Sequence, residues 1–143
     1  MEEYYFMFCS ALLKILYGVQ GTGNGHLTRA IAMTETIETF FPKCEVDALI
    51  SGRLEEKLPI KAKEIIWREG ATFVIKNGGV QLVKTLFNFN PSQLIRDIRQ
   101  LKISGYDLLV TDYEPITAWA ARINKKEIIG IGHQYAFYYD IPI

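Results

Sequence analysis

The chain has 143 residues, 49% of them apolar and 22% charged, enough for one ordinary domain around one core. Sixteen basic and sixteen acidic residues cancel, which argues against a dedicated nucleic-acid binder, whose surface would carry a basic excess. The two cysteines, Cys9 and Cys44, have no metal or redox spacing, so a reducing, cytoplasmic setting is the default expectation.

Residues 4–13, YYFMFCSALL, form an apolar run too short to span a bilayer. The acidic Glu2 and Glu3 ahead of it, and the lack of a clean small-residue cleavage site, disfavour a signal peptide. We read residues 1–13 as a leader or an overhang of the first strand. KILYGV (14–19) is a short apolar run ahead of turn residues and predicts a buried strand. HLTRAIAMTETIETFF (26–41) follows the glycines, with Leu27, Ala30, Ile31, Thr34, Ile37 and Phe41 on one helical face and Pro42 as its stop. EVDALIS (45–51) predicts the next strand. Strand, glycine turn, helix and strand make a parallel pair joined by a crossover helix.

KEIIW (63–67) predicts a further strand. TFVIKNGGVQLV (72–83) predicts a small β-hairpin turning at Asn77-Gly78. Asn90 is the expected cap of a helix with Pro91 in its first turn and Leu94, Ile95, Ile98 and Leu101 as its buried stripe. YDLLVTD (106–112) predicts a strand ending in acid. Pro115 opens a short alanine-rich helix in which Trp119 reads as core. EIIGIG (127–132) is the last expected strand, followed by HQYAFYYDIPI (133–143). The alternation predicts an α/β fold, a Rossmann-like and mainly parallel sheet flanked by helices. The chain stops soon after its last strand, so we expect the front part of a longer protein.

The loop Gly21-Thr22-Gly23-Asn24-Gly25 lies between strand and helix, where backbone amides lack partners and the helix dipole favours an anion. Its spacing departs from the dinucleotide pattern, because the third glycine's place falls on His26. The second strand ends without the ribose-binding acid, though Arg53 can suit a 2′-phosphate, which keeps a nicotinamide-dependent oxidoreductase open. A tight turn with no ligand is the plain alternative. His26 stands at the positive end of a helix dipole, which disfavours a protonated imidazole, and a general base must be neutral. In the common doubly wound order the fourth main strand neighbours the first, which would bring Asp112 to His26, where a carboxylate orients the imidazole. Asp112 or Glu114 can instead cap the helix at Pro115. Arg29, Glu114, His133 and Gln134 are candidate pocket residues. The aromatic cluster Tyr135, Phe137, Tyr138 and Tyr139 suits a core, with sugar stacking as the alternative. No Asp-x-Asp or ligand cluster calls for a metal.

YGVQGTGNGHLTRA (17–30), DYEPITAWAARI (112–123) and IGIGHQYAF (129–137) together resemble, in the expected order, the N-terminal domain of GT-B glycosyltransferases. The likeness is to relatives of the peptidoglycan N-acetylglucosaminyltransferase and the UDP-glycosyltransferases, and it runs from about residue 14 to the end. It implies glycosyl transfer from a nucleotide sugar, a UDP-sugar by the resemblance, to an acceptor hydroxyl. The nucleotide sugar would be a co-substrate, with no tightly bound cofactor. The acceptor side would lie in this domain, and the donor side in a C-terminal domain absent from this chain. His26 and Asp112 match the family's base and its orienting acid, and Gly21, Gly23 and Gly25 match a loop that meets the acceptor or its phosphates. A lipid-linked acceptor and peripheral contact with the inner face of a membrane are open. A truncated domain that only binds acceptor or partner is the alternative to catalysis.

Overall fold

A computed structural model of the chain describes residues 12–70, 75–76, 79–80 and 90–132. Seven strands and three helices are present among these residues. In chain order they are β1 (Lys14–Gln20), α1 (Asn24–Phe40), β2 (Glu45–Ser51), β3 (Glu64–Arg68), β4 (Ile75–Lys76), β5 (Gly79–Val80), α2 (Pro91–Gln100), β6 (Leu108–Asp112), α3 (Pro115–Ile123) and β7 (Ile129–Gly130). Five strands form one sheet in the order β3-β2-β1-β6-β7, and every pairing in it is parallel. The fold is therefore the expected Rossmann-like α/β arrangement.

The central strand explains why the sheet is covered on both faces. Six of the seven residues of β1 are buried, so its apolar residues run continuously, as parallel strands between two helical layers do. Ile15, Tyr17 and Val19 point to one side with Val46, Ala48 and Ile50 of β2. There they meet Leu27 and Ala30 of α1. Leu16, Leu49 and Leu109 point to the other side and pack with Ile98, Leu101, Ile103, Ile116, Ala120 and Ala121 from α2, α3 and the segment between. The two-residue period of a strand thus builds two separate clusters from one ribbon.

After β3 the chain returns across the sheet, so β6 lies beside β1 on the side away from β2. Val19 of β1 is in register with Asp112 of β6. The winding reverses between these two strands. In open α/β sheets the crevice beyond the strands' carboxyl ends at such a reversal is where ligands bind.

Several local expectations change. Trp119 is half exposed rather than core. Residues 116, 117, 120 and 121 supply the buried face of α3, and Trp119 projects from the other side, with the Arg122 guanidinium 5.6 Å from its ring centre. Ile95 is exposed, and Asp97 takes a buried place on α2 instead, its Oδ1 accepting from Gln93 Nε2 at 3.0 Å. Phe41 lies just beyond α1 and is exposed. The last strand is reduced to Ile129–Gly130. The hairpin is present as the antiparallel pair β4 and β5. Its turn at Asn77 and Gly78 lies outside the described residues, as do the leader, Cys9, His133, Gln134 and the aromatic cluster after them. Asn90 caps α2 as expected, accepting from Gln93 N at 3.1 Å.

Candidate functional site

α1 begins directly beyond the glycine loop. Its buried residues, Leu27, Ala30 and Thr34, fix which face turns to the sheet. Thr34 Oγ donates to Ala30 O at 2.9 Å and accepts from Lys61 N at 3.2 Å, which ties the helix to the chain after β2. His26 and Arg29 are three residues apart, so their side chains emerge on the same side of the helix, one turn from each other. Both reach the carboxyl end of β6.

There they meet Asp112, which is 0% exposed. His26 Nδ1 lies 2.8 Å from Asp112 Oδ1 although 86 positions separate the two in the chain. Arg29 grips the same carboxylate with two donors, Nε to Oδ2 at 2.6 Å and Nη2 to Oδ1 at 2.8 Å. A buried carboxylate without partners would cost several kcal/mol, on the order of what separates folded from unfolded chains. Three charge-assisted or aligned donors remove that cost. An ionised carboxylate only accepts, so the hydrogen of the His26 ring belongs on Nδ1, leaving the lone pair on Nε2. The ring is 25% exposed. Arg29 Nη2 comes within 3.2 Å of His26 Nδ1, two donors converging on one oxygen. The hydrogen bond to Asp112 holds the Arg29 guanidinium above its ordinary range.

Tyr113 completes this cluster, and nothing in the sequence pointed to it. It has φ of 59°, a left-handed conformation rare for a residue with a bulky side chain. The turn swings its ring to 5.8 Å from the His26 ring, tilted by 42°. The ring is 40% exposed. Beneath the cluster, Tyr17 of β1 is buried with its hydroxyl unpartnered. Burial, reinforced by the nearby Asp112 charge, pushes its phenol up to about 12.

The glycine loop divides in two. Gly21 is required by packing: a Cβ there would fall 2.9 Å from Arg53 Cβ, Ile50 Cγ2 and Ser51 O. Its N–H donates to Ser51 O at 2.7 Å. Gly23 and Gly25 have no such need. A Cβ on Gly23 would meet only His26 Cδ2 at 3.7 Å, and one on Gly25 would meet nothing within 4 Å. Gly23 is the extended residue before α1, whose first turn has no side-chain cap and no acid. Those amides therefore face outward with the dipole's positive end behind them. Thr22 is held from below, its Oγ accepting from Gln20 Nε2 at 3.0 Å, while Gln20 Oε1 accepts from Ser51 Oγ at 3.2 Å. Arg53 Nη1 donates to Asn24 Oδ1 at 3.2 Å, and the Arg53 guanidinium is ion-paired with Glu56. That pairing occupies the side chain the sequence offered to a 2′-phosphate.

Glu114 faces inward. Its carboxylate accepts from Ile116 N at 2.8 Å and Thr117 N at 2.6 Å, capping α3, the alternative the sequence left open beside a pocket role. Burial pushes its carboxyl above the usual carboxylate range against those two hydrogen bonds. An open cavity of about 360 Å³ lies at the opposite, amino end of the strands, between the C-terminal half of α1, the start of β2 and residues 60–63. It contains none of the expected site residues. Among the described residues no group of three or more His, Cys, Asp and Glu side chains could hold a metal ion, and no helix is long and apolar enough to cross a membrane.

A doubly covered parallel sheet, with an imidazole and a carboxylate meeting at its winding reversal, defines a Rossmann-like domain with a candidate site at that reversal. The particular family follows from comparison with known proteins. A family model described as glycosyl transferase family 1 matches residues 13–140, nearly the whole chain, and the chain belongs to that family. Neither the curated proteins nor the solved structures yield a match.

Proposed function

We propose that this domain supplies the acceptor side of an inverting glycosyltransferase. His26 acts as the base and Asp112 orients it. The observation that carries the reading is the 2.8 Å contact between His26 Nδ1 and the fully buried Asp112 Oδ1. An Nδ1–H donated to that oxygen leaves the ring's lone pair on Nε2. Nε2 removes the proton of an acceptor hydroxyl as the oxygen attacks the anomeric carbon of a nucleotide sugar. The bond from that carbon to the diphosphate breaks, and the nucleoside diphosphate leaves with the electron pair. The proton stays on His26, where Asp112 balances it.

The donor would be a UDP-sugar held by a second, C-terminal domain, on the resemblance to the UDP-glycosyltransferases and the peptidoglycan enzyme. The loop from Gly21 to Gly25 would meet the acceptor, with the uncapped amides of α1 available to an acceptor phosphate. A lipid-linked diphosphate acceptor fits that chemistry and would bring the protein to a membrane surface from the cytoplasm.

The test is turnover in the full-length protein, read as nucleoside diphosphate released from UDP-sugars in the presence of a panel of hydroxyl acceptors. His26→Ala lowers the rate by about 10²-fold or more, the usual contribution of a general base, while donor binding persists. A rate within a few-fold of wild type removes His26 from the chemistry.

A further inference from the structure

We infer that Arg29 is a positioning residue of the pair, one that sets the charge His26 works against. The inference rests on the reading of His26 as base and Asp112 as its partner. A carboxylate beside an imidazole has two effects. It orients the ring, and it attracts a proton onto it. The first is useful to a base and the second is not, because an imidazole already protonated accepts nothing. Arg29 separates the two effects. It takes Asp112 Oδ2 with Nε at 2.6 Å and shares Oδ1 with His26 through Nη2 at 2.8 Å. The oxygen that orients the ring remains in contact with it, while the guanidinium cancels the carboxylate's charge.

The cluster is therefore neutral before proton transfer and carries one positive charge after it. That charge appears while the departing diphosphate gains negative charge. The placement is geometric. Residues 26 and 29 lie one turn apart on one side of the start of α1, and Asp112 is anchored in register with Val19 on the neighbouring strand. The other charged or titratable groups about His26 among the described residues are Tyr113 after β6, Tyr17 on β1, and Arg53 at the far side of the loop through Asn24. Tyr17 is held as the neutral phenol by burial, and Arg53 is paired with Glu56. Arg29 is thus the cation in direct contact with the pair.

The experiment needs no substrate. Carbethoxylation of His26 by diethylpyrocarbonate proceeds through the neutral imidazole. It is followed by mass spectrometry of the peptide carrying His26, across pH 5 to 8 in the full chain. A unit charge about 4 Å away alters an equilibrium about fivefold even at the dielectric of water. In Arg29→Gln the rate curve moves to higher pH, so that on its acid limb the rate is about fivefold or more below wild type. Arg29→Lys, which keeps the charge, stays close to the wild-type curve. Superimposable curves for Arg29→Gln and wild type, or a shift to lower pH, overturn the proposal.

Should the unpaired carboxylate prevent Arg29→Gln from folding, the comparison is made between Asp112→Asn and Asp112→Asn with Arg29→Met. Neither leaves a buried anion alone. The first moves the curve to lower pH and the second returns it; equal curves overturn the proposal. If wild-type His26 does not react at any pH, the role of His26 as an accessible base fails instead.

Discussion

Tyr113 carries the clearest trace of strain at the site. A left-handed conformation costs a residue with a Cβ about 1–2 kcal/mol. It persists because both neighbours are fixed. Asp112 is bound by Arg29 and His26, and Glu114 is bound to the amides of α3 and to Thr111, whose Oγ accepts from Glu114 N at 3.1 Å. Glycine would relieve the strain at the cost of about 0.5–1 kcal/mol of chain entropy. Tyr113→Gly therefore leaves the urea unfolding midpoint unchanged or raises it slightly. A loss above about 1 kcal/mol would show that the ring's packing, rather than its place over His26, keeps the tyrosine there. His26 and Asp112 were legible in the sequence, because each ends or follows a recognisable strand. Tyr113 was not. Its conformation is imposed by two anchors that exist only once the sheet and α3 have assembled.

Elements were legible where burial is complete and ambiguous where it is partial. β2 spans Glu45–Ser51 as expected, and its run Ala48–Ile50 is buried as in a strand covered on both faces, with the polar Glu45 and Asp47 confined to its partly buried start. On α2 the stripe is Leu94, Ile98 and Leu101, spaced by four and three. Ile95 is one position off that stripe and faces solvent, while Asp97 falls inside it and is accommodated by Gln93 with Arg68 at 3.7 Å. Hydrophobicity alone could not reveal that a carboxylate would win a buried place. At the start of α1 the helix carries Gly25 where alanine would fit, with nothing within 4 Å of a Cβ. Alanine in a helix is favoured over glycine by about 1 kcal/mol. Gly25→Ala should accordingly raise thermal stability by about 0.5–1 kcal/mol. If the loop must admit a ligand against its backbone, the same variant lowers acceptor-dependent turnover in the full-length protein. Higher stability with unchanged turnover would assign the glycine no part in binding.

At the scale of the whole molecule, the strand order was the informative prediction. Placing β6 beside β1 brings residues 26 and 112 together, and no local pattern does so. The sequence left open whether Asp112 or Glu114 caps α3. Asp112 and Glu114 are both buried, yet only Asp112 meets the cleft's imidazole. Glu114 turns inward because the α3 amides and Thr111 claim it. This has a consequence for stability against pH.

Burial raises the folded-state affinity of Glu114 for its proton above that of the unfolded chain. The folded form then binds more protons than the unfolded form from the ordinary glutamate range, about pH 4.5, up to the raised value, and stability falls as pH rises through that window. The exposed pair of Glu45 with Lys63 acts oppositely. Its lowered carboxyl range makes a contribution that is complete above about pH 4.5 and lost below it. Above about pH 4.5 the Glu114 contribution is left to slope downward until the pH passes its raised carboxyl range, by at most about 1.4 kcal/mol per pH unit. Glu114→Gln keeps a carbonyl for the α3 amides and has no proton to lose. Its melting temperature should therefore gain on wild type as pH is raised from about 4.5 through the raised range of the Glu114 carboxyl. A difference that stays constant over that range would mean that the two amide hydrogen bonds, and not burial, govern the carboxyl of Glu114.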